Sequence, residues 1–265
     1  AVWGEPGGGA LDQGDGHLTS QGPIRGTGDA NATGAYVLTY TSTDAAGNAA
    51  TVTRTVTVTG AHTVQAASNL EMIWCPPGTF TMGSPANEAD RGTDETQTQV
   101  TLTQGFYLGK YEVTQAQYQA VMTGVTGDRN ATPSNWPNNP NRPVEKVSWD
   151  DVQIFLTRLN AAEQAAGRLP AGWSYVLPTE SEWEYACRAG TTTAYSWGSS
   201  IAAANANYSS SGIGQTRDGG QYAANPWGFL DMHGNVWGWT ADWHQPATPT
   251  GNVTAPPGPA PGPGR

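Results

Sequence analysis

Residues 36–59 constrain the fold of this chain more than any other stretch. β-branched and aromatic residues alternate there with a period of two, interrupted once by the turn sequence DAAGN at 44–48. Two β-branched runs joined by an Asp/Gly/Asn turn predict a β-hairpin. In the first run, one face of the predicted strand carries Val37, Thr39, Thr41 and Thr43, and the other carries Tyr36, Leu38, Tyr40 and Ser42.

This hairpin resembles the last two strands of the immunoglobulin-like modules of bacterial surface proteins. A complete sandwich usually needs roughly 80–100 residues, and only residues 1–60 precede a second half of different character. Among the first 30 residues, His17–Ser20 is the main strand candidate. The module is therefore truncated here or completed by something else. An open strand edge accepts a strand from another chain, so a homo-oligomer or fibre is one expected assembly.

The second half predicts an irregular α+β domain. After a linker at 61–68, the domain covers 69–255 and a Pro/Gly-rich tail covers 256–265, with residues 1–60 as the separate β module. Residues 71–84 predict a hairpin of two strands around a Pro-Gly turn, and 106–122 predict a strand followed by a helix. Two further helices are expected in 147–167 and 177–190. Their boundary signals are Thr114, Ser148 with Asp151, Gly167, Thr179 with Glu182, and Gly190.

Charge and composition exclude some functional classes. The net charge is −10, and only Lys110 and Lys146 are lysines, so nucleic acid is not an expected partner. No apolar run reaches the length of a membrane span. Few lysines with abundant Thr, Asn and Gly favour an extracellular or cell-surface location. The chain begins at Ala1 without a leader pattern, as a mature protein or a fragment would.

Five segments in order carry a specific resemblance. They are PPGTFTMGS (76–84), YEVTQAQY (111–118), PVEKVSWDD (143–151), LPTESEWEYACRAG (177–190) and NPWGFLDMHGNVWGW (225–239). Together they resemble the formylglycine-generating enzyme (sulfatase-modifying factor) family over about 70–255. The resemblance implies a C-type-lectin-like fold. The family includes copper-dependent oxidases, iron enzymes and surface proteins without known chemistry, so the fold does not fix the function.

The catalytic residues of that family are not matched. Its oxidases bind copper(I) through two cysteines that follow an RGGSW-like segment, and thiolates suit this soft ion. Cys75 and Cys187 do not occupy those positions, and we interpret them as one disulfide or as two buried thiols. Copper is expected only if the chain continues beyond Arg265. The four histidines form no close cluster for iron, and His233 is expected to make a structural hydrogen bond.

Calcium is the remaining metal that the resemblance implies. Projecting the family's ligands gives the Asp231 carboxylate with the Gly234 and Val236 carbonyls, while Gly238 stands where the family has Glu. A looser second site would use Asn207 and the Tyr208 carbonyl. Calcium prefers such oxygen ligands. The alternative is a metal-free loop held by Trp packing.

We therefore expect a non-catalytic binding or structural protein at a cell surface, which binds a protein or a glycan. One alternative is a copper-dependent oxidase whose cysteine segment lies beyond Arg265. Another is a variable surface receptor with a lectin-like fold. The contact residues expected for a partner are Trp136, Trp227, Trp243 and His244, although Trp136 is equally well explained as a cap on the core.

Overall fold

The computed structural model describes residues 9–12, 16–19, 34–43, 49–58, 62–64, 69–127, 129–243 and 253–254. The chain divides into two compact units, Ala1–Gly60 and Ala61–Arg265. In the first unit the description covers the backbone of the strands and the exposed side chain of Thr51.

The described strands of the first unit form two antiparallel pairs. Strand β1 (Gly9–Asp12) pairs with β2 (Gly16–Thr19). Strand β3 (Gly34–Thr43) pairs along its whole length with β4 (Ala49–Val58). The hairpin predicted from the alternation is confirmed, while its turn at 44–48 lies outside the described residues. Strand β2 confirms the candidate at His17–Ser20, but β1 was not predicted.

The second unit holds two small three-stranded sheets. The first contains β5 (His62–Val64), β6 (Leu70–Cys75) and β9 (Phe106–Gly109), with β6 in the centre. The second contains β7 (Gly78–Met82), β8 (Thr98–Leu102) and β10 (Val253–Thr254), with β8 in the centre. Strand β5 falls within the segment predicted as a linker. Among the described strands of this unit, β8 and β10 form a parallel pair, and the other pairs are antiparallel.

The hairpin predicted for residues 71–84 is wrong. Both strands exist, but β6 and β7 belong to different sheets. The reason is that β5 and β9 already occupy the two edges of β6, so β7 finds its partner in β8 instead. Residues Pro76 and Pro77 therefore lead the chain from one sheet to the other. Cys75 ends a central strand rather than lying in a hairpin.

Three helices follow the predicted boundaries. They are α1 (Gln115–Met122), α2 (Trp149–Ala165) and α3 (Glu180–Arg188). Each begins with a capping box, in which the N-cap hydroxyl accepts from the backbone three residues later and that residue's side chain accepts from the N-cap amide. The N-caps are Thr114, Ser148 and Thr179, as predicted.

Two hydrophobic clusters form the core of the second unit. One lies between α1 and α2, where the Tyr118 and Phe155 rings stack with centroids 5.4 Å apart. The other joins the two sheets, α3 and the segment that contains Phe229. Its buried members are Cys75, Met82, Val100, Leu102, Tyr185, Ala186 and Phe229. The described helices include none with the length and apolar character needed to cross a membrane.

Candidate binding loop at residues 225–239

Asn225 anchors the start of the loop to α3. Its side-chain amide donates to the carbonyl oxygens of Ala186 and Cys187, at 2.8 and 3.2 Å. Its side-chain oxygen accepts from the backbone amides of Trp227 and Phe229, both at 3.0 Å. Because Asn225 is buried, these bonds satisfy groups that would otherwise be desolvated without partners. The loop is thus fixed to the core at its first turn.

Gly234 allows the middle of the loop to approach a neighbouring segment closely. Its φ of +98° lies in the region that favours glycine. A Cβ atom at this position would overlap the carbonyl oxygen of Asn207. That same oxygen accepts from the Asn235 amide at 2.7 Å. Gly234, the first glycine of the GNVWGW sequence, is therefore required by a backbone contact.

Asn235 connects the loop to three distant segments. Its backbone has a φ of +63°, which Asn tolerates better than most residues. Its side-chain oxygen accepts from the Arg217 amide at 3.0 Å and from Asn207 Nδ2 at 3.3 Å. Its Nδ2 donates to Glu112 Oε2 at 3.2 Å. One side chain thus holds residues 112, 207 and 217 around the loop.

Glu112 is a site residue that the sequence reasoning missed. Besides the bond to Asn235, its Oε1 accepts from the Val236 amide at 3.4 Å. Burial, and to a smaller extent the nearby Asp231 carboxylate, raises the pKa of Glu112 to about 8. Burial also raises the pKa of Asp231, whose Oδ2 accepts from the Gly220 amide. The only sequence signal was an acidic residue between Tyr111 and Val113 in the YEVTQ motif.

The predicted calcium ligands are partly engaged in protein hydrogen bonds. The Ser211 hydroxyl donates toward both Asn207 Oδ1, at 3.1 Å, and the Tyr208 carbonyl, at 2.7 Å. These two oxygens therefore converge, as a second site would require, but on a hydroxyl group of the chain itself. Calcium takes six to eight oxygens.

Around Asp231 the set of charged ligands is small. A Cβ atom on Gly238 would have no neighbour within 4 Å, and no group of three or more His, Cys, Asp or Glu side chains converges in the described part of the chain. Asp231 is the only carboxylate among the five predicted ligands. These residues alone do not fit a complete calcium shell, and calcium binding remains a prediction.

The two cysteines are free and buried. Burial raises the pKa of Cys187 to about 12 and also raises that of Cys75 well above its usual value. Cys187 Sγ lies 3.5 Å from His233 Nε2. The Ser196 amide donates to this nitrogen at 3.2 Å, which is the structural hydrogen bond expected for His233. Burial lowers the pKa of His233 to about 4, so the pair is a neutral thiol beside a neutral imidazole.

A small cavity lies next to His233. Asp231, Asn205 and Tyr222 contribute polar groups to its wall, and Trp197 packs against the imidazole with centroids 4.7 Å apart. The cavity has room for about one water molecule. That volume is too small for an organic substrate.

The tryptophans differ in their placement. The Trp227 ring packs edge-on against Tyr185, with centroids 4.8 Å apart, beside the second core cluster. Trp136 and Trp243 are partly buried. His244 lies outside the described residues. Trp237 is fully exposed at the tip of the loop.

Two small sheets, three capped helices and a hydrogen-bonded Trp-rich loop define a mixed α+β scaffold of the sulfatase-modifying-factor type. The chain belongs to the family described as the sulfatase-modifying factor enzyme 1-like domain, whose model matches residues 58–258. Residues 2–58 match the model of a bacterial surface protein, Ig-like domain. The family and the N-terminal module implied by the sequence motifs are both confirmed.

Relatives and solved structures support the same assignment. The formylglycine-generating enzyme of Mus musculus is 27% identical over 231 residues, which cover 65% of this chain and 58% of that protein. The chain thus spans less than two thirds of this relative. PvdO from Pseudomonas aeruginosa superposes with a TM-score of 0.59 at 30% identity, covering 69% of this chain and 74% of PvdO. Treponema denticola variable protein 1 superposes with a TM-score of 0.58 at 26% identity. The match covers 75% of this chain and 83% of that protein.

Proposed function

We propose that this protein is an exported or cell-surface binding protein that uses a formylglycine-generating-enzyme scaffold without its catalysis. The observation that carries the proposal is the exposed indole of Trp237. Hydrogen bonds hold the loop before this residue and also after it, where the Trp239 indole donates to the Val147 carbonyl at 3.1 Å. Asn235 and Val236, directly before it, bond to Glu112 and Asn207. A large aromatic side chain presented by a rigid backbone loses little entropy on binding and suits a partner contact.

The state of the described thiols supports a non-catalytic role. A cysteine that acts as a nucleophile or copper ligand is a thiolate with access to its reactant. Both Cys75 and Cys187 are buried, and burial raises the pKa of each. His233, beside Cys187, has a pKa lowered to about 4 and supplies no positive charge to stabilise a thiolate.

The location proposed is the cell surface or the exterior. The match of residues 2–58 to a bacterial surface module supports it. Partners would then be a protein or glycan at that surface, in contact with the loop and with the predicted contact residues Trp136, Trp243 and His244. Trp227 contributes less to such a contact because it packs against Tyr185.

Self-assembly through the β3–β4 hairpin is a further part of the proposal. Among the described residues these two ten-residue strands form a sheet of their own. Arg54 is the only charged residue in them, whereas natural edge strands usually carry charges or proline that block pairing. Concentration-dependent sedimentation, reduced by Thr39→Lys with Thr55→Lys, is expected. A constant monomer mass across concentrations would contradict assembly.

The experiment for the main proposal has two parts. The purified chain is incubated with copper(I), oxygen and a cysteine-containing peptide, and the peptide mass is followed for conversion to formylglycine. Intact producing cells are treated with an impermeant amine-reactive label that reports Lys110 and Lys146. We expect no conversion and labelling without lysis. Copper-dependent conversion, or labelling only after lysis, would overturn the proposal.

Two other functions retain a supporting observation each. The match to the mouse formylglycine-generating enzyme favours a copper-dependent oxidase, with its cysteine segment beyond Arg265. The peptide assay on the natural full-length protein tests this function. The similarity to Treponema denticola variable protein 1 favours a variable surface receptor. Sequence variation confined to exposed loop positions such as Trp237, among natural copies, would favour the receptor.

A further inference from the structure

Three aromatic side chains, Trp74, Tyr107 and Trp173, form a contiguous surface that we call the aromatic patch. The ring centroid of Tyr107 lies 4.9 Å from that of Trp74 and 5.7 Å from that of Trp173, and the two indoles are 6.5 Å apart. Trp74 is 39% exposed and Trp173 46% exposed. Aromatic rings that cluster and still face solvent mark a binding surface more often than single exposed residues do.

The backbone builds the aromatic patch. The pairing of β6 with β9 places Trp74 directly opposite Tyr107. A Cβ atom on Gly105 would overlap the Trp74 ring, so the indole lies against the backbone of that turn. Trp173 ends a tight turn in which its amide donates to the Pro170 carbonyl at 3.1 Å. Strand register and tight turns therefore set the positions of the rings.

The chain segments that carry the aromatic patch are uncharged. The three segments that form it, residues 72–87, 96–109 and 170–178, contain no Asp, Glu, Lys or Arg, although the chain carries a net charge of −10. The exposed neighbours Thr103, Gln104 and Ser174 provide hydroxyl and amide groups instead. A charged ligand would find no opposite charge within these segments, and the flanking Glu71 and Lys110 pair with each other at 2.7 Å. The surface suits a neutral ligand with an apolar face and hydroxyl groups at its rim.

We infer that the aromatic patch binds a neutral glycan. The C–H face of a pyranose ring carries partial positive charge and stacks on the negative face of an indole. The sugar hydroxyls then bond to the amide and hydroxyl groups around the rings, where such bonds replace those to water. This inference rests on the proposed surface location and adds to the proposed function a second binding surface with its ligand class. It places the ligand on Trp74 and Trp173, apart from the loop that carries Trp237.

The test titrates the full chain with neutral hexasaccharides, namely cellohexaose, maltohexaose and mannohexaose, and follows heat release and tryptophan fluorescence. Saturable binding of at least one is expected. Trp173→Ala should weaken it by about tenfold, which corresponds to about 1.4 kcal/mol, and Trp173→Phe should retain most of it. Trp197→Ala is the matched control, because it removes an indole that is 38% exposed and lies outside both the aromatic patch and residues 225–239, and it should bind like the wild type.

Several outcomes would overturn the inference. One is the absence of saturable binding to every neutral hexasaccharide by a chain with wild-type thermal unfolding. Another is equal affinity in the wild type and Trp173→Ala. A third is self-association abolished by Trp173→Ala, or binding of decaproline in place of the sugars, since either makes a different occupant responsible. Copper-dependent conversion of the cysteine peptide would instead contradict the proposed function and leave the glycan titration to be judged by itself.

Discussion

The side-chain amide of Asn235 donates to the Glu112 carboxylate at 3.2 Å, although 123 positions separate them in the chain. The bond joins the segment leading into α1 to the tip of the candidate binding loop. Because Glu112 is buried and the Asp231 carboxylate is nearby, Glu112 favours its neutral form, and its pKa is raised to about 8. Loop stability and the protonation of Glu112 are therefore linked.

Glu112→Gln should change the pH dependence of stability. The folded-state pKa of Glu112 is raised from 4.5 to about 8. Between these two pH values the folded state therefore binds the proton more tightly than the unfolded state does. Its stabilising contribution is fully present below about pH 4.5 and is lost as the pH rises through about 8. The variant stays neutral throughout. Its free energy of unfolding relative to the wild type, from urea denaturation at pH 5, 7 and 9, should increase with pH. A constant difference would contradict the linkage.

Gly234→Ala should destabilise the protein by about 2 kcal/mol or more, since a left-handed backbone alone costs about 1–2 kcal/mol and the new methyl group would meet the Asn207 carbonyl. Gly238→Ala is the control, because a Cβ there meets nothing within 4 Å. Guanidinium unfolding of both variants measures the difference. Equal stabilities would show that the loop moves away from Asn207 without cost.

Gly238→Glu should strengthen calcium binding. The substitution restores the carboxylate that the family has at this position, where a Cβ atom meets nothing within 4 Å, and each added charged ligand favours a hard cation. An increase in calcium affinity of about tenfold is expected, measured by calorimetry and by the thermal shift with CaCl₂. Gly238→Gln, of equal size without charge, should show little change. Equal affinities of Gly238→Glu and the wild type would remove Gly238 from the site.

Glu163→Gln should lower the thermal midpoint. The Glu163 carboxylate is fully buried near the end of α2, and Arg168 donates to its two oxygens, both at 2.8 Å. Neutralising one partner leaves the other without its counter-ion at a buried contact. The comparison is Glu71→Gln, which breaks the half-exposed Lys110–Glu71 pair and should change the midpoint little. Equal shifts in calorimetry would argue against a special role for the buried pair.

The local elements of this fold were predictable because short-range physics decides them. The capping boxes at Thr114, Ser148 and Thr179 use groups three residues apart, and the β3–β4 hairpin follows from alternation around a short turn. The pairing of β7 with β8 was not predictable in this way. It depends on β9, about thirty residues further on, having taken the edge of β6.

The candidate site shows the same division. Sequence motifs identified the family and placed Asp231, Gly234 and Asn235 in one functional loop. They did not identify Glu112, because an acidic residue in YEVTQ acquires its role only where the tertiary structure brings it to Asn235. The aromatic patch was missed for the same reason, since Trp74, Tyr107 and Trp173 come from separate segments.

The sequence by itself thus determined the helix boundaries, the β3–β4 hairpin, the family and the position of the candidate binding loop. The tertiary structure decided which strands share a sheet, that both thiols are buried, and which aromatic side chains face solvent. Caps and turns depend on neighbours within a few residues, whereas burial and electrostatic environment depend on segments far apart in the chain. For that reason the proposed binding surfaces are features of the tertiary structure.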